Sequence, residues 1–255
     1  MKDLPPLSDD LDFLSPLSAE RAERLVSWLA AALSEGGTVV DVGCGWAELL
    51  LQVSSASPLA HAVGVDVDAE RIEEAQQRAA ARGLESRTTF LTGDGAATGP
   101  TGVEALIAIG SSQVWGPDVH ENQPLAYGAA LAAIRSRVVR GARVVYGDAI
   151  WSRSPTPEAT APLSGRDDEF VLLPELVDLA IGHGFAVVAV HEASQDEWDA
   201  FESGFTAGCA TWLVDHGPDH PDATAVRDRA ARQHAAYLGG YRGTLGMAYL
   251  QLLAV

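Results

Sequence analysis

A short segment, residues 39–47, combines one acid with two glycines in a pattern that suits the binding of a small ligand. It reads Val-Val-Asp-Val-Gly-Cys-Gly-Trp-Ala, with an apolar run before the glycines and a helical pattern after them. Gly43 and Gly45 lack Cβ atoms, so the backbone can turn sharply and lie against a ligand. A helix that begins near Trp46 would turn its free N–H groups and positive dipole end toward that ligand. The segment therefore predicts a ligand-binding turn between a strand and a helix.

A second carboxylate ends the next apolar run. Asp66 closes the predicted strand 60–66. It follows the glycine turn by about 20 residues, the spacing at which an acid accepts hydrogen bonds from ribose hydroxyls in nucleotide-binding α/β folds. The two segments together predict a site for a ligand that contains a ribose.

At this point the chain resembles the class I S-adenosylmethionine (SAM)-dependent methyltransferases, whose first motif is an acid followed by G-x-G. The residues that carry the resemblance are Asp41, Gly43, Cys44 and Gly45. Ala47 stands where the family motif often has a third glycine. The resemblance implies SAM as the cofactor and S-adenosylhomocysteine as its product.

The resemblance implies further cofactor contacts from Asp66 and from Val67 beside it. It also continues in two later segments. Asp94, Gly95 and Ala96 follow the third predicted strand and match the family's contact to the adenine amino group.

Gly110 and Ser111 follow the fourth predicted strand and match the loop beside the methionine part and the methyl group. All four segments lie at predicted carboxyl ends of strands, where open α/β sheets bind ligands.

A nicotinamide-binding Rossmann domain is the competing interpretation. Its motif is G-x-G-x-x-G, and Glu48 occupies the position of the last glycine. A carboxylate there is unfavourable for a pyrophosphate, whereas SAM carries no phosphate and has a cationic sulfonium. The sequence therefore favours SAM.

Short apolar runs alternate with helical stretches along the chain, which predicts right-handed βαβ units with helices on both faces of a sheet. The predicted strands are residues 38–42, 60–66, 88–92, 103–109, 143–146, 185–190 and 244–255. The predicted helices are residues 18–33, 46–55, 69–82, 123–137 and 173–183. The predicted fold class is α/β, a doubly wound and mostly parallel seven-stranded sheet. The resemblance implies the strand order 3-2-1-4-5-7-6 with the last strand antiparallel.

One methyltransferase domain is predicted to span residues 1–255. Its parts are an N-terminal segment and helix (1–35), the SAM-binding core (36–190), a helical cap insertion (191–243) and the last strand (244–255). The sixth strand ends at the cofactor edge and an antiparallel seventh strand begins there. The insertion is therefore expected to lie over the active site.

Aromatic residues near the cofactor edge are the candidates for a substrate pocket. Trp115 and Trp151 follow the fourth and fifth strands, and Tyr241 precedes the last strand. We expect Trp151 and Tyr241 to face the methyl group from opposite walls. Trp198 in the cap is assigned to the same pocket, with packing of the cap onto the sheet as the alternative.

Arg242, directly before the last strand, is a candidate clamp for a substrate carboxylate or carbonyl. An ion pair with a nearby acid such as Glu197 or Glu202 is the alternative, and the sequence does not separate the two.

His120 is the candidate general base, because it lies in the loop after the fourth strand between Asp118 and Glu121. A base is needed only when the acceptor carries a proton of high pKa. A solvent-exposed loop histidine is the alternative. Gln113 is a hydrogen-bonding candidate for the substrate pocket in the same loop.

Composition narrows the class of partner. The formal net charge of -18 argues against nucleic acid and against an anionic membrane surface. No metal site is predicted, since Gly217 and Pro218 interrupt the helical spacing of His216 and His220. The chain is predicted to be a bacterial cytoplasmic protein, a monomer or homodimer, whose partner is a small-molecule substrate.

The predicted function is methyl transfer from SAM to an oxygen or nitrogen atom of a small metabolite. Two alternatives stay open. One is another displacement on SAM, such as cyclisation of its aminobutyryl arm. The other is a SAM-sensing protein without turnover.

Overall fold

Seven strands form one sheet in the computed structural model, which describes residues 11–116 and 124–255. The strands are β1 (Gly37–Val42), β2 (Ala60–Asp66), β3 (Thr88–Thr92), β4 (Val103–Ile109), β5 (Val138–Trp151), β6 (Phe185–Glu192) and β7 (Leu245–Ala254). Their order is β3-β2-β1-β4-β5-β7-β6. β7 runs antiparallel to both neighbours, and the other pairs are parallel. The predicted fold class and strand order are confirmed.

Helices cover both faces of this sheet because the strands are apolar on both sides. In β4, Ala105 and Ile107 pack into one core, while Leu106 and Ala108 pack into the other. The helices are α1 (Ala19–Ala30), α2 (Glu48–Ala56), α3 (Ala69–Ala81), α4 (Tyr127–Arg137), the short α5 (Pro157–Thr160), α6 (Leu173–Gly182), α7 (Gln195–His216) and α8 (Ala223–Ala236). The first core contains side chains of α1, α2 and α3, and the second contains side chains of α4 and α6. This two-faced burial holds the carboxyl ends of the strands at fixed positions.

β5 is longer than the strand predicted at 143–146, because β7 pairs with it to its end. The antiparallel register runs from Arg143 opposite Leu253 to Trp151 opposite Leu245. Trp151 is therefore the last residue of a paired strand and not part of a loop.

The chain between β6 and β7 forms α7, α8 and a π-helical turn, Tyr237–Tyr241, which together are called the cap below. Because β6 and β7 are antiparallel, the insertion leaves and rejoins the sheet at the carboxyl edge of the parallel strands. α7 and α8 also have a small core of their own, formed by Cys209, Trp212, Ala223 and Val226. Within the described ranges, no helix is both long and apolar enough to cross a membrane.

Candidate functional site

The turn after β1 has the backbone conformation that its glycines predict. Gly43 has φ +75° and Gly45 has φ +52°, both in the left-handed region. The amides of Gly43 and Cys44 donate to the carbonyl oxygen of Val65 at 2.8 and 3.1 Å. A Cβ on Gly43 would lie 2.8 Å from the Cβ of Ser111. Only glycine allows this turn and this approach together.

Ala47 also has a left-handed backbone, with φ +61°, and is the N-cap of α2. It is the only non-glycine residue of the described part of the chain with positive φ. A left-handed conformation at a residue with a Cβ costs about 1–2 kcal/mol. Ala47 thus has a glycine-like conformation at the position where the family motif often has glycine. The helix α2 begins at Glu48 instead of the predicted residue 46.

Asp66, the last residue of β2, stabilises the glycine turn through hydrogen bonds. One carboxylate oxygen accepts the Gly45 amide at 2.8 Å, and the other accepts the Asp68 amide at 3.0 Å. Each carboxylate oxygen has a second acceptor position, so Asp66 can also receive two hydroxyl donors from a ligand. Val67, the next residue, has its side chain largely exposed.

Asp41 is the buried acid of the site. Burial raises the pKa of its carboxyl to about 8, with a further contribution from the negative charge of Asp66. The Cys44 thiol beside the turn is also desolvated, which raises its pKa far above the usual range. A positive charge placed next to Asp41 would stabilise its ionised form.

The segment after β3 is held against the glycine turn. The backbone of Gly95 is so close to β1 and the next loop that a Cβ there would lie 2.7 Å from Val42 and 3.1 Å from Val114. Asp94 is exposed, and its carboxylate accepts the amide of Ala96 at 2.8 Å. The predicted adenine-contacting segment therefore reaches the same sheet edge as β1.

The loop after β4 begins with Gly110 at φ +64° and a buried Ser111. The Ser111 hydroxyl has no hydrogen-bond partner within residues 11–116 and 124–255. Gln113 donates to the carbonyl of Gly110 at 3.1 Å and is otherwise exposed. Ser111 thus presents a free polar group beside Gly43.

A buried polar cluster fixes this loop to β5. The carboxylate of Asp148 accepts the amide of Ser112 at 2.9 Å, and the Ser112 hydroxyl is 2.5 Å from the hydroxyl of Tyr146. Desolvation raises the pKa of Asp148. Asp148 therefore positions the loop, and its carboxylate is almost fully shielded from solvent.

An open cavity lies between the glycine turn, the end of β4 and residues 11–17; we call it the turn cavity. Its walls are Phe13, Leu14, Ser15, Leu17, Asp41, Gly43, Cys44, Gly45, Trp46, Glu48, Leu49, Ile107 and Ile109. Residues 11–17, the N-terminal segment, are held there by two hydrogen bonds. Trp46 donates to the carbonyl of Asp12 at 2.8 Å, and Tyr249 donates to the carbonyl of Pro16 at 3.0 Å.

The sequence pointed to the segment around Phe13 only as the next place to look for a substrate pocket, if Trp151 and Tyr241 proved to be packing residues. The apolar residues Leu11, Phe13, Leu14 and Leu17 among acids and prolines were the available signal, since a solvated tail has little reason to carry them.

The aromatic pair predicted to face the methyl group lies elsewhere. Trp151 is 2% exposed, packs edge-on against Phe170 at 5.0 Å, and donates its ring N–H to the carbonyl of Asp167. Tyr241 is buried in the cap, and its hydroxyl donates to Glu202 at 2.9 Å. Neither ring lines the turn cavity. The expectation that they form opposite walls is corrected by the structure, because each ring has its own packing and hydrogen-bond partner.

The other residues predicted to line the substrate pocket also have packing or ion-pair partners within the protein. Trp115 is half-buried against the second core, and Trp198 is buried in the first, edge-on to Tyr241 at 6.4 Å. Arg242 forms a bidentate ion pair with Asp199 at 2.8 and 2.7 Å on the surface. Of the two alternatives for Arg242 the ion pair is observed, with a partner that the sequence did not suggest.

His120 lies outside the described residues, so its role as a general base stays a prediction. Within the parts of the chain that the structure describes, no group of three or more potential ligands is placed to hold a metal ion.

Comparison with known proteins agrees with this geometry. Residues 39–123 match the family model described as "Methyltransferase domain". The uncharacterized protein YjhP of Escherichia coli is 23% identical over 225 residues, 87% of this chain and 86% of YjhP.

Two solved structures share the fold across nearly the whole chain. A SAM-dependent methyltransferase from Geobacter sulfurreducens, in complex with S-adenosylhomocysteine, has a TM-score of 0.79 at 23% identity, covering 95% of this chain and 94% of that one. A SAM-dependent methyltransferase from Thiobacillus denitrificans, also with S-adenosylhomocysteine, has a TM-score of 0.78 at 25% identity, covering 96% and 94%. The resemblance to class I SAM-dependent methyltransferases predicted from the sequence is confirmed.

Proposed function

We propose that this chain binds SAM in the turn cavity and transfers its methyl group to an oxygen or nitrogen atom of a small metabolite. The observation that carries the proposal is the meeting of Asp41, the glycine turn and Asp66 at one strand edge, beside the turn cavity. The likeness to two methyltransferases in complex with S-adenosylhomocysteine supports the same cofactor.

The charges around the turn cavity suit a cationic ligand without phosphate. Its described wall residues include no lysine, arginine or histidine. Glu48 is neutralised by Arg78 and Arg82 at 3.2 and 2.7 Å, which leaves Asp41 as the acid that a ligand would meet. A sulfonium or ammonium group bound here would favour the ionised form of Asp41 and be stabilised by it, whereas a pyrophosphate would find no cationic side chain among these wall residues.

When bound, SAM would supply an activated methyl carbon for transfer to the lone pair of an acceptor atom, with S-adenosylhomocysteine as the product. The residues of this chain then have to align and shield the reacting atoms. Asp66 and the glycine turn would hold one end of the ligand, and Phe13 and Leu14, which line the turn cavity, would cover it from the side of the N-terminal segment. Alignment and exclusion of water are the main contributions expected from such a site.

The first prediction tests the cofactor. Asp66→Ala should weaken SAM binding by about 2–4 kcal/mol, because two charge-assisted hydrogen bonds to the ribose are lost. Isothermal titration calorimetry on the folded variant measures this directly. Asp68→Ala is the matched control: its carboxylate caps α3 through the amides of Glu70 and Arg71, so its loss should lower stability but leave SAM affinity unchanged. Equal SAM affinity in wild type and Asp66→Ala would contradict the assignment.

The products distinguish the three functions. Incubation with SAM and a library of small acceptors should release S-adenosylhomocysteine. Methylthioadenosine would instead indicate displacement at the aminobutyryl carbon. SAM binding with neither product, across the acceptor library, would indicate a sensor.

A further inference from the structure

A second cavity opens beside the turn cavity and separates the N-terminal segment and α1 from the start of α7; we call it the cap groove. Phe13, Ser15 and Leu17 line both cavities. The two spaces therefore adjoin each other along these three side chains. A molecule in the cap groove would lie next to a ligand in the turn cavity.

The floor of the cap groove is a buried ion pair. Arg21 donates from Nε and Nη2 to the two carboxylate oxygens of Glu197 at 2.9 and 2.7 Å, and Nη2 also donates to the carbonyl of Glu192. The amide and hydroxyl of Ser18 and the amide of Ser194 complete the donors to Glu197. The positive charge of Arg21 is thus compensated by Glu197 within the protein.

The remaining charges of the cap groove are negative. Arg24 is paired with Glu20 at 2.8 Å. Asp12 and Asp196 line the groove, are exposed, and have no ion-pair partner for their carboxylates in the ranges 11–116 and 124–255. A carboxylate or phosphate in the groove would meet two uncompensated acids, whereas a cation would be attracted to both.

The groove also has an apolar part. Leu11, Phe13, Leu17, Ala200 and Phe201 contribute to its walls. Phe13 and Phe201 offer aromatic rings, which attract cations as well as apolar groups. The lining therefore matches a molecule with an apolar body and a positively charged end.

We propose that the cap groove is the acceptor site and that it takes an amine with an apolar body, bound through Asp12 and Asp196. The inference rests on the proposed function, because the cap groove can serve as an acceptor site only if SAM binds in the adjoining turn cavity. It narrows the acceptor atom from oxygen or nitrogen to nitrogen. Because Asp12 and Asp196 are exposed, the proton of an ammonium group can leave to solvent before the nitrogen lone pair reacts.

Binding of three probes of similar shape tests the proposal: 2-phenylethylamine, 2-phenylethanol and 3-phenylpropionate. Each is titrated by NMR into the full chain with and without S-adenosylhomocysteine. The amine should bind most tightly and the carboxylate most weakly. Asp12→Asn and Asp196→Asn should each weaken amine binding by about two- to five-fold, the range for an exposed charge pair, and leave the alcohol unchanged. Asp215→Asn, an exposed acid at the far end of α7, is the control and should change nothing.

Three results would overturn the inference. They are carboxylate binding as tight as amine binding, unchanged amine affinity in both groove variants, or no binding of any probe to a chain that binds S-adenosylhomocysteine. Failure of SAM binding in calorimetry would instead overturn the proposed function. Amine binding without S-adenosylhomocysteine is measured independently of that result, so the two failures are distinguishable.

Discussion

Asp41 shows how a single residue can tie cofactor binding to pH. Its carboxyl lies in the wall of the turn cavity, and its pKa is raised to about 8 by burial and by Asp66. In the free protein at pH 7 the protonated form therefore predominates. A cation bound beside it lowers this pKa, because the charged form gains an attractive partner.

Binding of SAM at pH 7 should consequently release a proton from Asp41, and affinity should rise with pH until about 8, where the free protein is already ionised. Calorimetry at pH 7 in buffers of different ionisation enthalpy measures the released fraction. Asp41→Asn should abolish the release and remove the rise in affinity. A binding enthalpy that is the same in every buffer for the wild-type chain would show that Asp41 does not couple to the ligand.

At the level of helices and strands, the Arg21–Glu197 pair joins the start of α1 to the start of α7. Its side chains are 11% and 7% exposed. Hydrogen bonds from Arg21 and Ser18 hold the pKa of Glu197 well below its usual range, although burial opposes this. The pair therefore connects the cap to the N-terminal part of the chain across the cap groove.

Glu197→Ala should destabilise the protein by about 3–5 kcal/mol, because the charge of Arg21 stays buried without its partner. The paired variant Arg21→Met with Glu197→Leu should recover much of the loss. Urea unfolding at pH 7 measures both. Since the pKa of Glu197 is lower in the folded state, its stabilisation is present above the unfolded value of about 4.3 and is lost as the pH falls below it. A wild-type minus Glu197→Ala difference that does not shrink in acid would contradict this account.

The elements were largely predictable from the sequence, and so were the segments that carry the glycine turn. One apolar run has Asp41 next to its last residue and the other ends in Asp66, and with glycines between them they leave few alternatives for β1 and β2. What the sequence could not supply were contacts between distant segments. Arg21 and Glu197 lie 176 residues apart, and no local pattern links them.

The prediction that Trp151 lines the substrate pocket was wrong for a related reason. The apolar run at 143–146 predicts a strand much shorter than β5. Trp151 was therefore expected in a loop at the sheet edge. Pairing with β7 up to Leu245 buries it instead. Residues 11–17 have no periodic pattern, and only their tertiary contacts with Trp46 and Tyr249 reveal that they line the turn cavity.

For the whole molecule, the dominant property is its charge. Thirty-five acids against 17 lysines and arginines give a formal net charge of -18. With a net charge this far from zero, the negatively charged side chains repel one another in the folded protein, and salt screens that repulsion. A negative field of this kind is unfavourable for nucleic acid and attracts cationic small molecules.

The free energy of unfolding in urea at pH 7 should therefore rise as NaCl is increased from about 10 to 150 mM, as the Debye length falls from roughly 30 to 8 Å. Sucrose at matched osmolality is the control for effects other than screening. A flat or falling dependence on salt would mean that local ion pairs, which salt weakens, outweigh the overall repulsion.

The position of β7 has a consequence for how the chain is made. β7 is the last strand in sequence but lies between β5 and β6 in the sheet. Until residues 245–254 leave the ribosome, β5 and β6 therefore have no partner on their facing edges, although the glycine turn and its neighbouring strands have already been synthesised. Open strand edges pair readily with other chains. A chain that terminates inside the cap should therefore aggregate during synthesis instead of accumulating as a smaller ligand-binding fragment.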